Sequence, residues 1–195
     1  MSIIRVCLVL FGSLLIAIGI LFFVISEKGA DPISTFLLGI LNFAPISIGL
    51  ASQIFNLGVL VVIFMLDRRH LGAGSILNAF FIGLFVNICT PFVIFIADYT
   101  HIAVQILFGP LLIGVGSGIY MSAKLGSGAI EGLMLYLADK LIISIKVSRM
   151  LLDGVLVFIG IALGSAWGIG SVLGIALIGP IIAVTIKILN KVLYL

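Results

Sequence analysis

Leu10-Phe11-Gly12-Ser13-Leu14-Leu15-Ile16-Ala17-Ile18-Gly19 returns as Leu107-Phe108-Gly109-Pro110-Leu111-Leu112-Ile113-Gly114-Val115-Gly116, identical at seven of ten positions and displaced by 97 residues, half of the 195-residue chain. The same displacement carries Gly29-Ala30-Asp31-Pro32 onto Gly126-Ser127-Gly128-Ala129, Ser47-Ile48 onto Ser144-Ile145, and Asn56 onto Asp153. After a one-residue slip, Gly72-Ala73-Gly74-Ser75-Ile76-Leu77 falls on Gly168-Ile169-Gly170-Ser171-Val172-Leu173, and Gly83 on Gly179. A shared leucine-rich composition scatters matches; it does not keep glycines in register across a whole half. Self-similarity at a fixed period is a statement about architecture, and it divides the chain into two units, 1–97 and 98–195, that together make one domain.

The composition places that domain in a membrane. Hydrophobic residues make up 63% of the chain and charged residues 9%, against roughly 45–50% and ~25% in soluble domains, and the mean hydropathy is +1.48. Apolar runs of about 20 residues, enough to cross a hydrocarbon core of ~30 Å, lie near 6–25, 47–66, 75–97, 103–122, 144–164 and 171–189. The first has Arg5 ahead of it, as a signal peptide would, but it is long, lacks a small-residue cleavage site, and matches 107–116, so it reads as a structural helix. Cys7 and Cys89 fall near opposite ends of their spans, too far apart for a disulfide, and read as core filler.

Two shorter apolar stretches, 32–43 and 129–140, occupy the same place in each unit. Each is about 12 residues, or ~18 Å as a helix, too short for an ordinary span. If they cross the membrane, each unit has four spans and the repeats are parallel; if they enter and return, or lie at the interface, each has three and the repeats are inverted. Loop charge separates the two. With a cytoplasmic N-terminus and non-crossing short segments, Arg5, Arg68, Arg69, Lys124, Lys140, Lys146, Arg149, Lys187 and Lys191 lie on or near the cytoplasmic side and only Lys28 lies outside, a strong positive-inside bias. Crossing segments would put Arg68 and Arg69 outside. The expected fold is therefore all-α and polytopic, with six transmembrane helices plus two short broken or re-entrant helices, built as two inverted 3+3 repeats with both termini cytoplasmic.

Short, glycine-interrupted segments at matching places in inverted repeats point to a transporter-like site at the repeat interface. Two oppositely oriented copies can exchange conformations, and a broken helix leaves free N–H groups and a positive end to face a solute. Asp31-Pro32 opens the first short helix with a proline suited to its first turn; Gly126-Ser127-Gly128 opens the second. The plainer alternative is a pair of tight turns with amphipathic pieces at the interface.

Polar residues at depth mark the rest of the candidate site, because a charge inside a span normally has a partner or a job. Asp153 is the deepest, roughly 12 Å from the start of its helix, and Asn56 stands at a similar depth from the opposite face. Arg149, one turn before Asp153, can pair with it, and the alternative is a self-neutralised pair that snorkels to the cytoplasm. Glu131 sits on the first turn of the second short helix, where a carboxylate also serves as a cap. Gln53 and Asn56 lie three apart on one helix face, Asn78 opens the third span and Asn42 closes the first short helix; each can also bond a neighbouring helix. With Ser34 and Thr35 they supply a polar lining. The substrate-binding set is thus Asp31, Ser34, Gln53, Asn56, Asn78, Gly126, Gly128, Glu131, Arg149 and Asp153. His70 and His101 read as loop residues. The remaining glycines allow close helix approach, with Gly72-Ala73-Gly74 and Gly168-Ile169-Gly170 readable as hinges.

No phosphate-binding glycine-lysine run, His-Glu-x-x-His, or cysteine pair at metal spacing occurs, so the chain reads as neither enzyme nor metalloprotein, and no cofactor is expected. The net charge of +3 reflects membrane orientation, so it does not point to nucleic acid.

Gly29-Ala30-Asp31-Pro32, the run Gly72 to Gly83, and Gly168 to Leu173 followed by Ile178-Gly179-Pro180 resemble the bacterial YczE/YyaS/YitT group of small integral membrane proteins. The resemblance spans most of the chain and implies a multi-pass bacterial plasma-membrane protein; it supplies no catalytic residues. The expected function is a small-solute transporter or permease, for a zwitterionic, anionic or amphipathic organic solute. The rival is a membrane accessory or scaffold protein acting through helix contacts with a partner or a second copy, and the third reading is a small channel.

Overall fold

The structure is a computed structural model that describes residues 3–193. The chain ends, on which the expectation of cytoplasmic termini falls, lie outside the described residues. Among the described residues eight α-helices follow one another: α1 (Ile3–Ser26), α2 (Pro32–Leu41), α3 (Ile48–Leu66), α4 (Ala73–Ala97), α5 (Ile102–Ser122), α6 (Ala129–Leu141), α7 (Ile145–Ala162) and α8 (Ile169–Leu193). The protein is an all-helical membrane protein. Five helices, α1, α3, α4, α5 and α8, are long and apolar enough to cross a bilayer. Helix α7 has 18 residues, about 27 Å, and carries Lys146, Arg149 and Asp153. Helices α2 and α6, of 10 and 13 residues, are too short to span ~30 Å at 1.5 Å per residue.

Local chemistry sets the helix boundaries. Ser47 and Ser144, 97 positions apart, both N-cap their helices by accepting from Leu50 and Val147 backbone N–H groups, satisfying donors that a helix start leaves unpaired. Asp31 caps α2 through the Ser34 N–H, with Pro32 in the first turn. Between α3 and α4, Asp67 accepts from the Arg69 side chain and backbone, and the Arg69 guanidinium holds its carboxyl down at about 2. That ion pair offsets one of the turn's two arginines, while Arg68 lies over the Phe64 ring.

Helices α1 and α5 form the axis. A Cβ on Gly12 would lie 2.6 Å from the Gly116 carbonyl oxygen, and one on Gly19 would lie 2.8 Å from that of Gly109. The order of the contacts is reversed along the two helices, so they run antiparallel with backbones touching, as small residues allow in a membrane. The core gathers around them: Ile16, Ile20 and Phe23 of α1 with Ile82 and Val86 of α4, Ile113 of α5, and Ile178 and Ile182 of α8. Large apolar side chains such as Phe64, Phe92, Phe95, Phe108 and Phe158 cover the outside, as a lipid-facing surface requires. Cys7 is exposed on α1, which corrects its reading as core filler; Cys89 does pack against the core.

Before each short helix the chain makes the same crossing. Glu27 and Lys124 both have φ 53°, and Gly29 and Gly126 have φ 95° and 112°, a left-handed conformation that glycine adopts without steric penalty. The crossing is stitched to a distant helix start: Lys28 O accepts from Gly170 N at 2.9 Å, and Leu125 O from Gly74 N at 2.8 Å. A Cβ on Gly29 would lie 2.7 Å from Ser171 Oγ and one on Gly126 2.5 Å from Ser75 Oγ. Gly72-Ala73-Gly74 and Gly168-Ile169-Gly170 are thus anchor points of these crossings.

Candidate functional site

The two short helices aim their first turns at one buried cavity. Its lining includes Asp31 and Ile33 from α2, Ile130 and Glu131 from α6, Ser52 and Asn56 from α3, Asn78 from α4, Ser117 from α5 and Arg149 from α7, closed by isoleucines of α1 and α4. The cavity volume is about 40 Å³, room for two or three water-sized spheres at roughly 15 Å³ each.

Charge in this centre is unbalanced. Asp31, Glu131, Arg149 and Asp153 are all at most 8% exposed: three carboxylates against one guanidinium. Arg149 Nε donates to Asp153 Oδ1 and Oδ2 at 2.9 and 2.8 Å, the expected one-turn pair. Both residues are buried, which corrects the reading of a pair that snorkels to the membrane surface. Arg149 Nη1 lies 3.8 Å from Glu131 Oε1, so Glu131, read as a cap, also belongs to the guanidinium's surroundings. Asp31 accepts one backbone hydrogen bond, from Ser34 N at 3.2 Å, and its Oδ1 has no partner. Arg149 Nη1 and the Tyr120 hydroxyl are likewise buried without a hydrogen bond. An unmatched acceptor and an unmatched donor therefore belong to residues that line the same cavity. Buried polar groups of this kind are expensive to leave unpaired.

The neutral residues are held in place through their amide nitrogens. Asn56 Nδ2 donates to Ser52 O at 2.8 Å and to Ser52 Oγ at 3.2 Å, and Asn78 Nδ2 donates to Ser13 Oγ at 3.0 Å. Each amide keeps its carbonyl oxygen as the free acceptor. The Ser52–Asn56 pair stands 97 positions before Arg149–Asp153, a neutral i, i+4 pair matching a charged one. Gly128 makes room for the assembly, since a Cβ there would lie 2.9 Å from Tyr120 Oη and 3.0 Å from Asn78 Oδ1.

Of the residues singled out in the sequence, Asp31, Asn56, Asn78, Glu131 and Arg149 meet at the cavity, with Asp153 directly behind Arg149 and Ser34 behind Asp31. Gly128 borders the group, whereas Gly126 belongs to the crossing against Gly72. Gln53 turns away and donates to Phe80 O at 2.9 Å, joining α3 to α4. Ser52, Ser117 and Tyr120 were not singled out; the repeat alignment of Ser52 with Arg149 was the signal for the first, while the other two look like ordinary helix filler. Asn42 bonds Leu163 O, and His101 caps α5.

A second, larger space adjoins Arg149. A cleft of about 570 Å³ between α5, α6, α7 and α8 is lined by Met121, Met134, Lys146, Arg149, Gly179 and Ile182 among others. The corresponding place in the first unit is shut: a Cβ on Gly49 would lie 2.5 Å from the Gly83 carbonyl oxygen, so α3 and α4 touch backbone to backbone. Gly179, which aligns with Gly83, has only Arg149 Cγ, 4.0 Å from the position of its missing Cβ. Lys146 stands where the first unit has Gly49.

A buried, charged centre bordered by two short helices inside an apolar bundle defines a multi-pass membrane protein with a polar core. The chain belongs to a family of unknown function, DUF6198, whose model matches residues 3–187. An uncharacterised protein of Haemophilus influenzae is 30% identical over 189 residues, 95% of this chain and 85% of its own length. The uncharacterised membrane protein YczE of Bacillus subtilis is 29% identical over 128 residues, 65% of this chain and 60% of its own. YyaS of the same organism, also uncharacterised, is 25% identical over 184 residues, 92% and 91% of the two chains. No solved structure matches the chain.

Proposed function

We propose that the protein is a small-solute transporter of the bacterial plasma membrane that works by alternating access between two inverted three-span units, residues 1–97 and 98–195, with both termini cytoplasmic and α2 and α6 as re-entrant half-helices. It acts on its solute without bond-making chemistry. The observation that carries this reading is Arg149, which lines both the closed central cavity and the open α7–α8 cleft.

The inverted arrangement is supported by contacts that exchange partners. Gly12 and Gly19 meet Gly116 and Gly109, which are the displaced copies of Gly19 and Gly12, as a two-fold axis in the membrane plane requires. The two crossing bonds, Gly170 to Lys28 and Gly74 to Leu125, obey the same exchange. The positive-inside bias puts Lys146 and the cleft on the cytoplasmic side and the Gly49–Gly83 contact on the outer side. The state described here is then inward-open. Exchanging the packing of α3–α4 with that of α7–α8 would open the other face around the same site.

The sequence also biases the resting state. The outer contact is made by two glycines, while closure of the inner cleft must accommodate Lys146. Unmatched carboxylate and guanidinium groups suit a zwitterionic or amphipathic organic solute, whose two poles satisfy both. A metabolite panel screened by thermal shift tests this: saturable stabilisation by zwitterionic or charged organic solutes, lost in Arg149→Gln, is expected. Stabilisation only by uncharged apolar compounds would contradict it, and a stable complex with a partner protein without any ligand effect would favour the scaffold reading.

A further inference from the structure

The solute reading gives Asp31 and Arg149 partners while a solute is bound, but leaves the Asp31 carboxylate without a counter-charge in the solute-free site. Asp31 is 3% exposed, caps α2 with one oxygen, keeps Oδ1 buried without a hydrogen bond, and lines the central cavity together with Glu131. The single cation there already serves two other carboxylates: Arg149 Nε is bonded to Asp153, and its Nη1 lies 3.8 Å from Glu131. An isolated buried carboxylate is strongly disfavoured unless neutralised or paired. We propose that the central cavity is a binding site for one alkali cation of sodium size, held by the Asp31 carboxylate and by neutral oxygens of Ser52, Asn56, Asn78 and Ser117.

Two observations favour a metal cation over a proton on Asp31, and a third sets its charge. First, there is space: about 40 Å³ holds an ion with a water, whereas a proton needs none. Second, the neutral lining offers oxygens: Asn56 Nδ2 is spent on Ser52 O and Oγ, and Asn78 Nδ2 is held by Ser13, leaving the amide carbonyls and serine hydroxyls; hard cations are bound by carboxylate, carbonyl and hydroxyl oxygens. Third, among the described residues no three His, Cys, Asp or Glu side chains converge on a metal position. One carboxylate with neutral oxygens matches a single positive charge and gives too little charge for a divalent or transition ion. The other titratable groups around Asp31 are Glu131 on α6, Tyr120 on α5 beside it, and Arg149 and Asp153 on α7; the parts of α1, α3, α4 and α8 that border the site contribute none.

The inference deepens the transport reading by naming a co-bound ion, and its test is binding alone. Thermal unfolding of the purified protein in lipid nanodiscs is measured in sodium, lithium, potassium or choline chloride at equal ionic strength, at about pH 6 and about pH 9, on either side of neutrality where ordinary carboxylates are ionised. The expected result is a saturable rise of several degrees with sodium over choline, larger at the higher pH and absent in Asp31→Asn. Asparagine is itself a good N-cap, so that variant keeps α2 in place and should be at least as stable as the parent in choline. Glu27→Gln, at an exposed carboxylate, should keep the full sodium response. Stability that rises on acidification but ignores every alkali cation would assign the charge to a proton and overturn the proposal, as would an undiminished sodium response in Asp31→Asn. A sodium response without any conformational exchange would leave the ion site standing and remove the transport reading; exchange without a sodium response would do the reverse.

Discussion

Gly12 and Gly116 face each other across α1 and α5 so closely that a Cβ on either would lie 2.6 Å from the other's carbonyl oxygen. A Cβ on Gly19 would lie 2.8 Å from the Gly109 carbonyl oxygen and one on Gly109 2.8 Å from the Phe23 ring, so the central seam of the protein is packed at its glycines. Helices in lipid gain little from burying apolar surface against one another, and close packing at small residues replaces it.

The seam therefore predicts its own mutational pattern. Gly12→Leu and Gly116→Leu should each destabilise by about 1–3 kcal/mol through overpacking, a fall in melting temperature of roughly 2–4 °C per kcal/mol for a chain of this size. Gly58→Leu and Gly154→Leu should be near neutral, because nothing lies within 4 Å of a Cβ at either position. Thermal unfolding in one lipid environment measures all four. Equal losses at all four would show that glycine matters here for reasons other than the seam.

The proposed orientation predicts labelling. In a chain with Cys7 and Cys89 replaced by Ser and Ala, Arg69→Cys and Ile143→Cys should be shielded from an impermeant thiol reagent in intact cells, and Tyr99→Cys and Trp167→Cys should react. Tyr99 and Trp167 are 79% and 67% exposed, so failure to label them would signal sidedness and not burial. Labelling at position 69 from outside would overturn the inverted arrangement.

Much of the fold was legible because hydropathy, caps and repeat agree locally. Runs of about 20 apolar residues, Ser47 and Ser144 at helix starts, and Asp31-Pro32 ahead of a short helix needed no tertiary information. The pairing of Arg149 with Asp153 followed from spacing along one helix. What the sequence did not reveal depends on which distant surfaces meet. Gln53 shares a face with Asn56, yet reaches a carbonyl on α4, and Ser117 and Tyr120 become part of the centre only because α5 crosses it. The difference between the shut α3–α4 contact and the open α7–α8 cleft was hidden as well, since it requires knowing that Gly49 faces Gly83 and that Lys146 takes the matching place.

The Arg149–Asp153 pair predicts a stability cycle. Asp153→Asn removes the charge directly bonded to a buried guanidinium and should destabilise by about 3–5 kcal/mol, the usual effect of breaking a buried ion pair from one side. Arg149→Ser with Asp153→Asn copies the Ser52–Asn56 pair of the first unit and should recover most of that loss, while any solute response stays absent. Full solute response in the double variant would remove the pair from the binding site. Denaturation in matched lipid, read beside the thermal-shift screen, separates the two outcomes.

The contact between Gly49 and Gly83 predicts a switch in bias. Gly49→Val places a side chain against the Gly83 carbonyl and Asn87, so it should pry α3 from α4 and raise the population of the state open on that side. Reactivity of a cysteine at Ser52 toward a small permeant reagent should rise in this variant. Unchanged reactivity in a folded protein would mean that the contact does not close a pathway.

The central claim, exchange of packing between α3–α4 and α7–α8 around one site, is tested most directly by pulsed electron–electron resonance on two spin-labelled pairs in nanodiscs. Leu50 with Ile88, and the matching Val147 with Val184, are all 42–58% exposed and tolerate labels. The account predicts two distance populations for each pair, with the first lengthening whenever the second shortens as sodium, pH or solute is varied, and Gly49→Val moving both in the outward-open direction. A single unchanging distance for each pair under every condition, in protein that responds to its ligands by thermal shift, would contradict it.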